Sequence, residues 1–223
     1  MKRIHIICEG QTEETFVNEV LRDHLHRYEV YPRASLVGKP GHKGGCVTTT
    51  RMTHDIKLRL LGDPQAWCTT FFDFYGLDAN FVGKPQAVLS HSYENKARII
   101  EDALRAHVLE ATDDNVIRRF IPYVQMYEFE GLLFSDPAKL ASGINEARLE
   151  SEFSTIRDAF SSPEEINDSR QTAPSKRILR LMPGYEKPLY GSLAAIEVGI
   201  DRMRRECRLF DQWVQRMETL GNS

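Results

Sequence analysis

Apolar positions along the chain fall into short runs separated by stretches of helical spacing. Arg3 to Cys8 is β-branched and apolar and stops at Glu9-Gly10, which predicts a buried strand with glycine permitting a tight exit. Behind Thr12 as N-cap, with Glu13 and Glu14 in the first turn, Phe16, Val17, Val20, Leu21 and Leu25 recur at helical spacing. Val30 to Val37 predicts a second strand. Thr50 to Leu61 predicts a helix with Met52, Ile56, Leu60 and Leu61 inward, and Trp67 to Phe72 a third buried strand that ends at Asp73. Ala97, Ile100, Ala103, Leu104 and Val108 predict a helix over Tyr93 to Leu109, and Phe120 to Met126 reads as a fourth strand. This β-α-β-α-β-α-β alternation predicts an α/β fold, a mainly parallel sheet flanked by helices, with its functional site beyond the carboxyl ends of the strands.

After Met126 the pattern turns helical and irregular, with Glu150 to Phe160 and Leu193 to Leu220 as the better helices and Pro163 to Pro174 as a polar loop. The expected organisation is an α/β core over residues 1–135 and a C-terminal helical cap over 136–223 packed on it. Neither a linker nor an internal repeat separates them.

With 41% hydrophobic and 27% charged residues in 223, the composition is that of a globular chain and not a disordered one. Nothing approaches the roughly twenty apolar residues of a membrane span, and the apolar run before Glu9 is too short for a signal peptide, so no membrane role is expected. Four scattered cysteines without a CxxC pair argue against a zinc site or disulfide framework and fit a reducing cytoplasm. A net charge of −3 means that any nucleic-acid contact must use local basic surface. The stretch from Lys176 to Arg208 has a modest basic excess, read on composition as a solvated helix face. The glycine-rich loop Gly38 to Gly45 either wraps a phosphate backbone through Lys39, His42 and Lys43 or serves as a connector.

The acids are the most informative feature. Glu9 directly follows a buried apolar strand, a position that costs desolvation unless the carboxylate is paired or binds a cation. Asp73 repeats the arrangement after Phe71-Phe72, and adjacent parallel strands would bring the two together. Like charges that close repel unless a divalent cation lies between them, and hard oxygen ligands without histidine suit Mg²⁺ or Mn²⁺. Glu13 and Glu14 are read equally well as partners of the helix dipole or as further members of the site. Scattered histidines without acid partners give no hydrolase triad, and there is no GxxxxGK[ST] loop.

Glu9-Gly10-Gln11-Thr12-Glu13 after one strand and Asp73 after a later one resemble the Toprim domain of topoisomerases, primases and overcoming-lysogenization-defect nucleases. Over its whole length the chain resembles the bacterial domain-of-unknown-function family 4276. That likeness is carried by the same segment with Phe72-Asp73-Phe74-Tyr75-Gly76, Tyr127 to Asp136 and Ala173-Pro174-Ser175-Lys176-Arg177. The resemblance implies a Toprim-like fold in which Glu9 and Asp73 hold Mg²⁺ or Mn²⁺ for phosphodiester chemistry. Tyr75 stands where Toprim domains carry a second aspartate, so another ligand is expected from Glu128 or Glu130. Glu13 is implied as a second-metal or outer residue, and Lys176 and Lys187 as contacts to the scissile phosphate.

The expected function is a metal-dependent nuclease acting on DNA or RNA beside a partner ATPase, in phage defence. Two other readings stand beside it: a catalytically silent module that docks on the ATPase, and a nucleotidyl or phosphoryl transferase.

Overall fold

The computed structural model describes residues 1–38, 47–167 and 169–222. Its strands are β1 (Lys2–Cys8), β2 (Val30–Leu36), β3 (Ala66–Phe71) and β4 (Phe120–Ile121), which form one parallel sheet in the order β2-β1-β3-β4. The α/β architecture read from the periodicity is the one observed. Because β1 is central, with Cys8 in register with Leu36 on one side and Phe71 on the other, the residue after it emerges between two neighbouring strand ends. That residue is Glu9, whose N–H donates to the Phe71 carbonyl at 3.2 Å.

Residues 11–26 are helical throughout and are called α1: α-helical Gln11–Phe16 and Arg22–His26 joined by a π-helical turn at Val17–Leu21. Its N-cap is Gly10 and not Thr12, which is buried inside the first turn. The cap needs no side-chain oxygen of its own. Glu13 reaches back three residues and accepts from the Gly10 N–H at 2.9 Å. On the opposite face of the sheet lie α2 (Thr49–Gly62) and α3 (Tyr93–Glu110).

Alternation along β1 sends Ile4, Ile6 and Cys8 into one core and Ile7 into another. The second core takes Met52, Ile56 and Leu60 of α2 with Ile100, Leu104 and Val108 of α3. Leu61 is not part of it and is 55% exposed, because Met52, Ile56 and Leu60 already form the inward stripe and Leu61 sits a further turn step round the helix.

The fourth strand is shorter than the apolar run predicts. Pro122 has no N–H to donate, so the regular β3–β4 ladder stops at Ile121, and two threonine hydroxyls take over. Thr69 Oγ1 donates to the Ile121 carbonyl at 2.6 Å, and Thr70 Oγ1 donates to the Tyr123 carbonyl at 2.7 Å while accepting from the Tyr123 N–H at 3.0 Å. Main-chain pairing then resumes, with the Gln125 N–H on Phe72 at 2.8 Å and an isolated bridge between Asp73 and Gln125. This seam carries Asp73 and the residues after Met126 to the same rim of the sheet.

Beyond the rim come α4 (Glu130–Leu133), α5 (Pro137–Gly143), α6 (Glu150–Asp158), α7 (Pro174–Leu181), α8 (Ser192–Val198), α9 (Ile200–Glu206) and α10 (Arg208–Glu218). The expected single helix from Leu193 to Leu220 is thus three, broken at Gly199, which has φ +76°, and at Cys207, whose backbone is extended. Glu164 restarts the chain into α10 by accepting from the Leu209 and Phe210 N–H groups at 2.9 and 3.0 Å. α10 lays Phe210, Trp213, Val214 and Met217 into the core of the α1 face. Trp213 stacks on Tyr123 with centroids 4.5 Å apart and donates to Thr69 Oγ1 at 2.8 Å, so truncating it to alanine is expected to cost about 3–5 kcal/mol. Among the described residues no helix is long and apolar enough to cross a membrane.

Candidate functional site

Four acids from three parts of the chain meet at the carboxyl rim of the sheet. Glu9 is half-buried, while Glu13 and Asp73 are each 3% exposed and Glu130 is 0% exposed. Glu9 Oε2 accepts from the Asp73 main-chain N–H at 3.1 Å, which ties the tip of β1 to the tip of β3. The turn after Asp73 closes with the Gly76 N–H on the Asp73 carbonyl at 3.0 Å. A Cβ on Gly76 would lie 2.0 and 2.2 Å from the two Glu9 carboxylate oxygens, so glycine there is what lets that carboxylate keep its place. Lys84, itself buried, braces the same turn by donating to the carbonyls of Phe74 and Leu77.

At the centre is Lys187, which begins the π-helical turn Lys187–Gly191 leading into α8. Its Nζ is 2.9 Å from Asp73 Oδ2 and 2.9 Å from Glu130 Oε2. The first contact is a hydrogen bond; the second is an ion pair without hydrogen-bond geometry. Glu130 Oε1 accepts from the Tyr185 hydroxyl at 3.4 Å, and Asp73 Oδ1 is buried with no hydrogen-bond partner.

Burial and mutual repulsion dominate the electrostatics. Burial, then the Asp73 charge, pushes the Glu9 carboxyl up to about 8. Burial pushes Glu13 up to about 7, with Glu130 and Glu9 adding repulsion and Lys187 relieving it. Asp73 and Glu130 are likewise held above the usual carboxylate range by burial, with Lys187 as the chief relief for each. Burial lowers the proton affinity of Lys187, but Asp73, Glu130 and Glu13 together outweigh it and hold the ammonium charged. One ammonium therefore compensates a site that carries more acid than it can balance, an arrangement expected of a site that binds cations.

A family model described as a domain of unknown function, DUF4276, matches residues 8–218, which include every residue of this cluster. The chain belongs to the DUF4276 family. Two crystal structures of the C-terminal region of the Xanthomonas campestris pv. campestris OLD protein are similar to the DUF4276 chain. One shares 15% identity, with 100% of this chain and 97% of that one covered and a TM-score of 0.46; the other shares 16%, with 99% and 96% covered and a TM-score of 0.40. No curated protein gives a significant match.

The remaining residues expected at the site are distributed as follows. Glu128 Oε2 accepts from the Ser175 N–H at 2.8 Å at the start of α7, and the Glu128 charge still raises the proton affinity of Glu130. Tyr127, the residue before Glu128, has φ +61°. Lys176 is exposed on α7. Lys39, His42 and Lys43 lie outside the described residues. Tyr75 donates to Asn167 Oδ1 at 2.5 Å and packs against Tyr127 with centroids 5.5 Å apart, so the position of the missing aspartate is filled by an aromatic contact. Sequence reasoning missed Lys84, Gly76 and Tyr185. Gly76 had a signal in its place three residues after a rim acid; the other two had none.

Among the described residues no group of three or more His, Cys, Asp or Glu side chains is placed to hold a metal ion. The donors present nevertheless fit a hard divalent cation. All are carboxylate oxygens, Asp73 Oδ1 is buried without a partner, and Gly76 keeps the Glu9 carboxylate clear of side-chain atoms.

Proposed function

We propose that this protein is a metal-dependent nuclease of Toprim type that hydrolyses phosphodiester bonds. The observation that carries the reading is that Asp73 and Glu130, both buried, share one lysine at the carboxyl rim of a parallel sheet, with Glu9 and Glu13 within electrostatic reach of it. Glu9, Asp73 and Glu130 would hold Mg²⁺ or Mn²⁺, with Glu13 beside them. A bound ion supplies Lewis-acid polarisation of a phosphoryl oxygen and an activated water.

The chain's own groups supply the rest. The main-chain N–H of Asp73 fixes the Glu9 carboxylate, the Lys84 brace fixes the Asp73 turn, and the Tyr185 hydroxyl orients Glu130. Lys187 presents a positive charge to a phosphate oxygen, where charge develops in the transition state. Raised carboxyl proton affinities at Glu9 and Glu13 suit groups that exchange protons near neutral pH. A partner ATPase and a part in phage defence belong to the same proposal through the family resemblance alone.

The test is cleavage of linear, nicked and single-stranded DNA and of RNA, with Mg²⁺ or Mn²⁺ and with EDTA, by the protein alone and with an ATPase encoded beside it. Metal-dependent cleavage that disappears in Glu9→Gln and Asp73→Asn supports the reading; undiminished cleavage in both variants rejects the site. Tyr75 in place of an acid favours a second reading, a silent module that docks on the ATPase, which gains if metal neither raises the melting temperature nor supports any cleavage.

A further inference from the structure

Lys187 stands between Asp73 and Glu130, and it differs from those two acids in freedom. Its side chain is 35% exposed, against 5% for Asp73 and 0% for Glu130. The acids are fixed by a strand end and a short helix, whereas a lysine carries its charge on a flexible four-carbon stem. Of the residues leading to it, Pro183, Gly184 and Glu186 are exposed, while Tyr185 is buried and anchored on Glu130.

We propose that Lys187 is a resident counter-ion that a divalent cation displaces. The ammonium and the metal exchange places on Asp73 and Glu130, and the released ammonium then faces the substrate phosphate. The idea rests on the metal reading above and adds a regulation to it: the phosphate-gripping charge becomes available only once the site is loaded.

Three observations support the exchange. A hard cation bonds carboxylate oxygens at about 2.0–2.6 Å, well inside the 2.9 Å at which the ammonium stands from each acid, so both cannot use the same oxygens without close repulsion. Lysine satisfies the acids incompletely, leaving Asp73 Oδ1 with no hydrogen-bond partner and Glu130 Oε2 with an ion pair only, whereas a divalent ion accepts more oxygens and carries more charge. Lys187 is the cation in contact with both Asp73 and Glu130, so departure of the ammonium has to be compensated, by a metal ion or by protons.

Mn²⁺ binding to the full-length protein and to Lys187→Met, measured by calorimetry without substrate, separates the alternatives. The exchange predicts that Lys187→Met binds Mn²⁺ roughly tenfold or more tightly than the unmodified protein, since a competing charge at close range is gone. In the unmodified protein, which avoids any folding defect of the variant, acetylation of Lys187 by acetic anhydride is read by mass spectrometry. It should rise severalfold as Mg²⁺ saturates the site, while acetylation of Lys176 stays constant. Equal or weaker Mn²⁺ binding by Lys187→Met, or Lys187 acetylation that is flat or falls with Mg²⁺, overturns the exchange and leaves the metal site standing. Absence of Mn²⁺ uptake by both proteins takes down the exchange and the metal reading together.

Discussion

Glu164 and Asp73 are both almost wholly buried acids, and their surroundings differ in kind. Glu164 spends its two oxygens on the N–H groups of Leu209 and Phe210 at the start of α10. Glu218, the other buried acid of the C-terminal helices, is paired with His24 at 2.6 Å and Arg204 at 2.5 Å. Asp73 shares one lysine with Glu130, has an oxygen with no hydrogen bond, and stands among further acids. Burial of a carboxylate therefore says little by itself. Whether its lone pairs are consumed locally separates an acid that builds the fold from one left open for a ligand.

The sharpest way to break the comparison is to neutralise both kinds of acid. Glu9→Gln and Asp73→Asn are expected to lower the rate of cleavage by on the order of 100-fold or more, at or above the roughly 10–100-fold typical for residues that only support metal ligands, with far-UV circular dichroism unchanged. Glu164→Ala should leave two buried N–H groups without acceptors and lower stability by about 1–3 kcal/mol in urea unfolding. Glu13→Gln should do the reverse. It removes a crowded charge while keeping an oxygen for the Gly10 N–H, so the melting temperature of the metal-free protein at pH 8 should stay level or rise.

The pH dependence sharpens the same contrast. Glu9 and Glu13 are raised to about 8 and about 7 from the ordinary value of 4.5, so the native state binds more protons than the unfolded chain between those limits. Their contribution to stability is then largest in acid, declines as pH rises from about 4.5 to 8, and levels off above. Thermal melts of the metal-free protein across pH 5–9 should show this decline, and it should be shallower in the Glu9→Gln, Glu13→Gln double variant. Smallest of all, Lys176→Ala should change cleavage and Mn²⁺ affinity by no more than about twofold, as for other exposed positions.

Much of the sheet was legible from sequence, because β1 and β3 are apolar runs cut off by an acid and helices with clear stripes separate them. The same abrupt ends exposed Glu9 and Asp73. The run at Phe120 to Met126 misled because Thr69 and Thr70 read as ordinary strand residues, and only coordinates show their hydroxyls replacing the bonds that Pro122 breaks. Glu128 and Glu130 could not be told apart by spacing; the Ser175 N–H that Glu128 accepts from and the Lys187 ammonium that Glu130 faces tell them apart. Lys84 was invisible, since a lysine between glycine and proline reads as surface and its role depends on two carbonyls of a turn seven and ten residues earlier.

The direct test of a cation site at the rim is anomalous diffraction from crystals soaked in Mn²⁺. The account predicts one strong peak bonded to oxygens of Asp73 and Glu130 and within reach of Glu9, with Lys187 withdrawn from between them. Saturating Mn²⁺ that leaves this position without a peak, or settles on other acids, would contradict it.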